Sequence, residues 1–170
     1  MSNLQATLRT IDAGFGQGNL GKAQTLTFES FDAFAREVIR RGTKYPPAPA
    51  GLEAEAFKEY KKHAPFFCHP VDGDTKDDAH RLPTRLIFAD IDGCPKTAKP
   101  QIFDVCGGLS VLIYETASST EATPRLRVIA EANRLILPEE TPAVAQAFAK
   151  FFYSKIPALA DWRSPEGERA

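Results

Sequence analysis

The sequence predicts an α+β chain whose second half is a split βαβ unit. Two observations carry this reading. Residues 85–91 (RLIFADI) are nearly all apolar, as in a central strand covered on both faces. The order after residue 84 is strand, helix, strand, turn, strand, helix, which supplies too few βα repeats for a doubly wound sheet. The chain divides into an N-terminal αβ unit, residues 1–84, and a sheet unit, residues 85–170, read together as one domain of 170 residues.

Residues 1–22 are rich in Gly, Gln and Asn, and are expected to form a loop or a weak strand and turn. Residues 23–29 (AQTLTFE) alternate like a strand. Ser30 is placed to cap a helix over 31–41, whose Phe31, Phe34, Ala35 and Val38 make one apolar face, with Gly42 at its C-terminal cap. A Pro-rich connector leads to a second helix over 52–63, stopped by Pro65. After the short apolar FFCHP, residues 71–83 (VDGDTKDDAHRLP) read as an exposed polar loop. Beyond the strand at 85–91 come a short helix ending at Gly107 and Gly108, strands at 110–116 and 125–131, and a helix over 138–156. Glu139 and Glu140 sit at the positive end of that last helix.

Bulk composition narrows the class only moderately. A hydrophobic fraction of 43% and a charged fraction of 25% are those of a globular protein. No apolar run approaches membrane-spanning length and the N-terminus lacks signal-peptide character, so a cytoplasmic protein is expected. The net charge of −1 argues mildly against a protein living by nonspecific DNA affinity. Cys68, Cys94 and Cys106 show no CxxC spacing and are expected to be free thiols. A zinc site recruiting His63, His69 or His80 fits no standard module.

Chemistry concentrates in Ile87-Phe88-Ala89-Asp90-Ile91-Asp92. Strand alternation sends Asp90 and Asp92 to one face and Ile91 to the other. Two adjacent carboxylates repel, and a hard divalent cation such as Mg²⁺ or Mn²⁺ would relieve that repulsion. The bland alternative is a turn beginning at Asp92-Gly93. On the strand at 125–131, Leu126, Val128 and Ala130 should face the helices, which puts Arg125 and Arg127 on the face of the aspartates. Guanidinium forks there would suit a triphosphate, against the plainer reading of ion pairs with Glu131. The hydroxyl-dense loop Thr116-Ala117-Ser118-Ser119-Thr120 could bond phosphate or sugar oxygens, or be an ordinary polar turn.

An apolar strand ending in ADIDG, then VLIYETASSTEATPRLRVI, resembles the archaeo-eukaryotic primase superfamily, especially primase-polymerases of plasmids, phages and integrated elements. The resemblance covers about residues 85–165. It implies a degenerate RRM-like (split βαβ) catalytic sheet with an N-terminal αβ unit, and nucleotidyl transfer in primer synthesis or DNA extension. It further implies Asp90 and Asp92 as ligands of Mg²⁺ or Mn²⁺, with Ser118, Ser119 and Arg127 beside the incoming nucleotide. Two departures stand out. The family's second motif often carries a histidine, but all three histidines here precede Asp90, so Arg125 or Arg127 would take over its phosphate contact. The family's third acidic residue corresponds in order to Asp161, close to the C-terminus.

The implied partners are nucleoside triphosphates, a single-stranded DNA template and a replicative helicase encoded separately or on a C-terminal region outside this chain, with no membrane. Lys61 and Lys62, or Arg40 and Arg41, are candidate template contacts. Two other classes compete. A haloacid-dehalogenase-like phosphatase also ends a strand in DxDG, but it expects Thr and an apolar residue where this chain has Cys94-Pro95. A non-catalytic RRM-like binding module would use exposed aromatics, for which Phe88 and Tyr114 are the candidates.

Overall fold

Ile11, Ala13 and Phe15 alternate along one segment, and all three are buried. In the computed structural model, which describes residues 10–17, 22–45, 48–49, 51–75, 78–95, 97–117, 119–120 and 124–160, this segment is a strand, β1 (Ile11–Gln17), at the centre of a sheet. It pairs antiparallel with β2 (Gln24–Phe28) on one side and β3 (Pro65–Cys68) on the other. Of the two readings of the Gly-rich segment, loop or weak strand and turn, the strand holds for 11–17, and Gly16 there is a packing requirement. A Cβ on Gly16 would lie 2.2 Å from the Lys22 carbonyl oxygen and 2.4 Å from the Phe66 ring. Only glycine lets the neighbouring chain come that close.

Helix α1 (Phe31–Thr43) starts where Ser30 Oγ accepts a hydrogen bond from the Ala33 N–H at 3.2 Å. Phe34 is fully buried and meets the rings of Phe15, Phe28, Phe31 and Phe67, so aromatic packing organises this unit. Gly42 does not terminate the helix as its composition suggests; it lies in the last turn, and its carbonyl accepts from the Tyr45 N–H at 3.1 Å. Helix α2 (Ala54–Lys62) has no buried residue. It is held at its C-terminal end by Tyr45, whose hydroxyl donates to the Tyr60 carbonyl.

The second unit contains β4 (Thr84–Ile91), α3 (Ala98–Val105), β5 (Val111–Glu115), β6 (Leu126–Ile136), α4 (Thr141–Lys155) and the short α5 (Pro157–Ala160). Its strand order is β4-β6-β5, and β5 and β6 are antiparallel, with Val111 opposite Ala130 and Tyr114 opposite Arg127. At eleven residues β6 is longer than the seven residues expected. One face carries the core. Ala89, Ile91, Leu126 and Val128 from the strands pack with Ala98 and Ile102 of α3, Phe152 of α4, Ile156 and Leu159. At the turn into α4, Glu140 accepts two bonds from Arg134 and one from the Leu137 N–H. These bonds hold its carboxyl far below the usual range, at about 2, chiefly through the Arg134 guanidinium.

The architecture is therefore α+β, with two small antiparallel sheets in two compact units, residues 1–84 and 85–170. Among the described residues no helix is long and apolar enough to cross a membrane. Cys68, Cys94 and Cys106 are not joined in disulfides.

Candidate functional site

Burial of Ala89 and Ile91 on the helix side turns Asp90 outward at the end of β4. Gly93, with a left-handed φ of 63°, lets the chain turn away directly after Asp92. On β6 the same logic holds, because Leu126 and Val128 are buried at 1% and 0% exposure and send Arg127 to the opposite face. The sheet order sets β4 beside β6, and there the two outward side chains meet. Arg127 donates through Nε to Asp90 Oδ1 at 2.5 Å and through Nη2 to Oδ2 at 2.7 Å, a two-pronged ion pair. Arg125 Nε lies 3.8 Å from Asp92 Oδ1, at the outer limit of an ion pair.

The two pairs set two carboxylates against two guanidiniums. None is fully withdrawn from water: side-chain exposure is 46% for Asp90, 30% for Arg127, 29% for Asp92 and 46% for Arg125. Tyr114 stands directly opposite Arg127 on β5. Burial pushes its hydroxyl up to about 12, partly opposed by the positive charge of Arg127. Burial alone would lower the pKa of Arg127; hydrogen bonding to Asp90 and the neighbouring Tyr114 outweigh it and hold the guanidinium above its ordinary value. From sequence alone, relief of the Asp90–Asp92 repulsion falls to a cation. In the structure Arg127 meets Asp90 from the position that alternation predicts, and Arg125, just ahead of β6, lies beside Asp92.

A second feature lies at the same end of the sheet. A cleft of about 390 Å³ is lined by Cys94, Lys99, Glu115, Ser119, Thr120 and Leu126, among others. Lys99 on α3 donates to Glu115 at 3.0 Å, and Ser119 Oγ donates to the other Glu115 oxygen at 3.2 Å. Lys99 is the main reason the Glu115 carboxyl sits below its usual range. Burial, with the negative charges of Glu115 and Asp92, pushes the Cys94 thiol up. Sequence reading passed over Lys99 and Glu115. The available signal was strand register: Glu115 pairs with Leu126, so it shares the helix-side face and comes within reach of α3.

Of the residues singled out from sequence, Asp90 with Arg127 and Asp92 with Arg125 come together as two pairs. Ser119 joins them through the backbone, since its Oγ accepts from the Arg125 N–H at 3.1 Å. Its side chain is committed to Glu115. Ser118 and Asp161 lie outside the described residues. The candidate template contacts on the helices are engaged locally. Arg40 and Arg41 both bond Glu37, Lys62 bonds Glu59, and Lys61 lies over the Phe57 ring at 5.6 Å.

The donor chemistry of Asp90 and Asp92 suits a hydrated Mg²⁺ or Mn²⁺, being hard, water-accessible oxygen. Among the described residues, no group of three or more His, Cys, Asp or Glu side chains is arranged to hold a metal ion. A cation here would rest on two carboxylates and water, in competition with the guanidiniums. Comparison with protein-family models, curated proteins and solved structures gives no match, so the site's own geometry and chemistry carry its interpretation.

Proposed function

We propose that this chain is a primase-polymerase catalytic domain performing metal-dependent nucleotidyl transfer. Nucleoside triphosphates are its substrates and single-stranded DNA its template. The observation that carries the reading is the two ion pairs at the adjoining ends of β4 and β6, Asp90 with Arg127 and Asp92 with Arg125. A metal-bound triphosphate is itself a cation joined to an anion, and these pairs offer a matching set of opposite charges. The order β4-β6-β5, with α3 between β4 and β5 in sequence, is compatible with a split βαβ unit. It supports the resemblance in ADIDG and PRLRVI. The antiparallel β5–β6 pair weighs against the phosphatase alternative, whose sheet is parallel.

In this reading Asp90 and Asp92 hold Mg²⁺ or Mn²⁺. A cation there supplies Lewis-acid stabilisation of phosphorus oxygens and acidifies the attacking hydroxyl. Arg127 and Arg125 neutralise and orient the phosphate chain through their forks. Tyr114 keeps Arg127 in register from the neighbouring strand, and Ser119 holds the start of β6 by accepting from the Arg125 N–H. Asp161 is the third carboxylate of this proposal. A helicase supplied by another chain or region is the partner that primer synthesis calls for.

The test is incorporation of labelled nucleotides on single-stranded DNA with Mg²⁺ or Mn²⁺, comparing the wild type with the Asp90→Asn/Asp92→Asn double variant. Incorporation by the wild type and its loss in the variant is the expected result. Single-strand affinity with no incorporation, unchanged in the double variant, would instead favour the RRM-like binding module.

A further inference from the structure

The Asp90–Arg127 pair joins the two side chains that the proposed site needs for opposite purposes. Asp90 presents both carboxylate oxygens to Arg127, and Arg127 spends Nε and Nη2 on them. The oxygens that would hold a cation and two of the N–H groups that would hold a phosphate are therefore bonded to each other. We infer that Asp90 and Arg127 form a latch that closes the resting site, so that a divalent cation and a phosphate chain bind together more tightly than either binds alone. This rests on the metal-and-phosphate reading of the site, though not on nucleotidyl transfer itself.

The physical argument is reciprocal linkage. A cation alone must displace Arg127 from Asp90 and leave a guanidinium without its carboxylate. An anion alone must displace Asp90 from Arg127 and leave a carboxylate beside Asp92. Either ligand bears the full cost of opening the pair, and the second ligand then finds its partner released. The pair is breakable because both side chains retain water access, at 46% and 30% exposure. It is nonetheless specific, because Val128 and Leu126 anchor Arg127's strand position and Tyr114 flanks it. Asp92 and Arg125, separated by 3.8 Å, make a looser contact and serve as an internal comparison within the same site.

A latch makes a prediction opposite to that of a simple binding site: removing one half should strengthen binding at the other half. The measurement is titration of the full chain with inorganic tripolyphosphate in EDTA, for wild type, Asp90→Asn and Asp92→Asn. Asp90→Asn frees Arg127 and should tighten tripolyphosphate binding about fivefold, the displacement of one partly exposed ion pair. Asp92→Asn removes the same charge and should tighten it about twofold or less at moderate salt. The mirror experiment titrates Mn²⁺ alone, followed by electron paramagnetic resonance, into Arg127→Gln and Arg125→Gln. Arg127→Gln should show the larger gain in Mn²⁺ affinity.

Equal effects of Asp90→Asn and Asp92→Asn would overturn the latch in favour of general charge. So would weaker or absent tripolyphosphate binding in Asp90→Asn. Should Asp90→Asn fail to fold, the Mn²⁺ pair decides alone, and a gain in Arg127→Gln no larger than in Arg125→Gln overturns the idea. Latch behaviour in a chain that incorporates no nucleotide would refute the polymerase reading and leave the latch standing.

Discussion

Replacing Asp90 by Asn distinguishes the sequence argument from the structure, because the two predict opposite signs. If Asp90 and Asp92 merely repel, neutralising one should stabilise the protein in the absence of metal. In the structure Asp90 receives both prongs of Arg127, so the substitution breaks a two-bond ion pair. Fully exposed pairs contribute about 0.2–1 kcal/mol, and breaking a buried pair costs about 3–5 kcal/mol. Exposures of 46% and 30% place this pair between those limits. The expected loss is roughly 1–2 kcal/mol for Asp90→Asn. Arg127→Gln should cost at least as much, because it restores the repulsion between Asp90 and Asp92. The assay is urea unfolding in EDTA of wild type, both single variants and the double variant, with coupling read from the cycle. A coupling of about 1 kcal/mol, shrinking in high salt, is expected. An Asp90→Asn variant as stable as wild type in EDTA, or a coupling within error of zero, would refute the reasoning.

Three further outcomes follow from the packing and charges. Arg40 first, and Arg41 against the opposing effect of burial, lower the Glu37 carboxyl from 4.5 to about 2. Its stabilisation should be complete above the unfolded value and vanish as pH falls from 4.5 towards 2. Glu37→Gln should therefore cost about 1 kcal/mol at pH 7 after allowance for solvent screening, with the difference gone near pH 2; a pH-independent cost would refute this. In urea unfolding, Gly16→Ala drives a methyl into the Lys22 carbonyl and the Phe66 ring and should cost about 1–3 kcal/mol, while Gly42→Ala, with nothing within 4 Å, should stabilise α1 by about 0.5–1 kcal/mol. Phe152→Ala empties a fully buried position against Phe148 and Phe151 and should lose about 3–5 kcal/mol in urea unfolding; a loss below about 1 kcal/mol would mean the helix layer is misassigned.

Where hydrophobic period and local capping decide an element, the sequence was legible. Ser30 announces α1, the apolar run at 85–91 announces β4, and Pro65 follows the end of α2. Where a strand exists because of its neighbours, it was not. β1 reads only as a loop or a weak strand because its glycines weaken the strand pattern, yet those glycines are what allow close approach of the chain around it. The C-terminal extension of β6, through Asn133 and Arg134, has little strand character of its own. Gly42 reads as a helix end because composition cannot say whether a glycine adopts the left-handed conformation.

At the candidate site the division is sharper. Alternation by itself determined that Asp90 lies opposite Ala89 and Ile91, and that Arg127 lies opposite Leu126 and Val128, because the side-chain period of a strand is local geometry. It could not determine which partner each charge would find. That depends on β6 lying beside β4 and on where the two strands stop relative to each other, a long-range arrangement fixed by burying Ile91, Val128, Ile102 and Phe152 in one layer. Tertiary structure thus turned two carboxylates and two guanidiniums from a list of candidate ligands into two ion pairs, one tight and one loose.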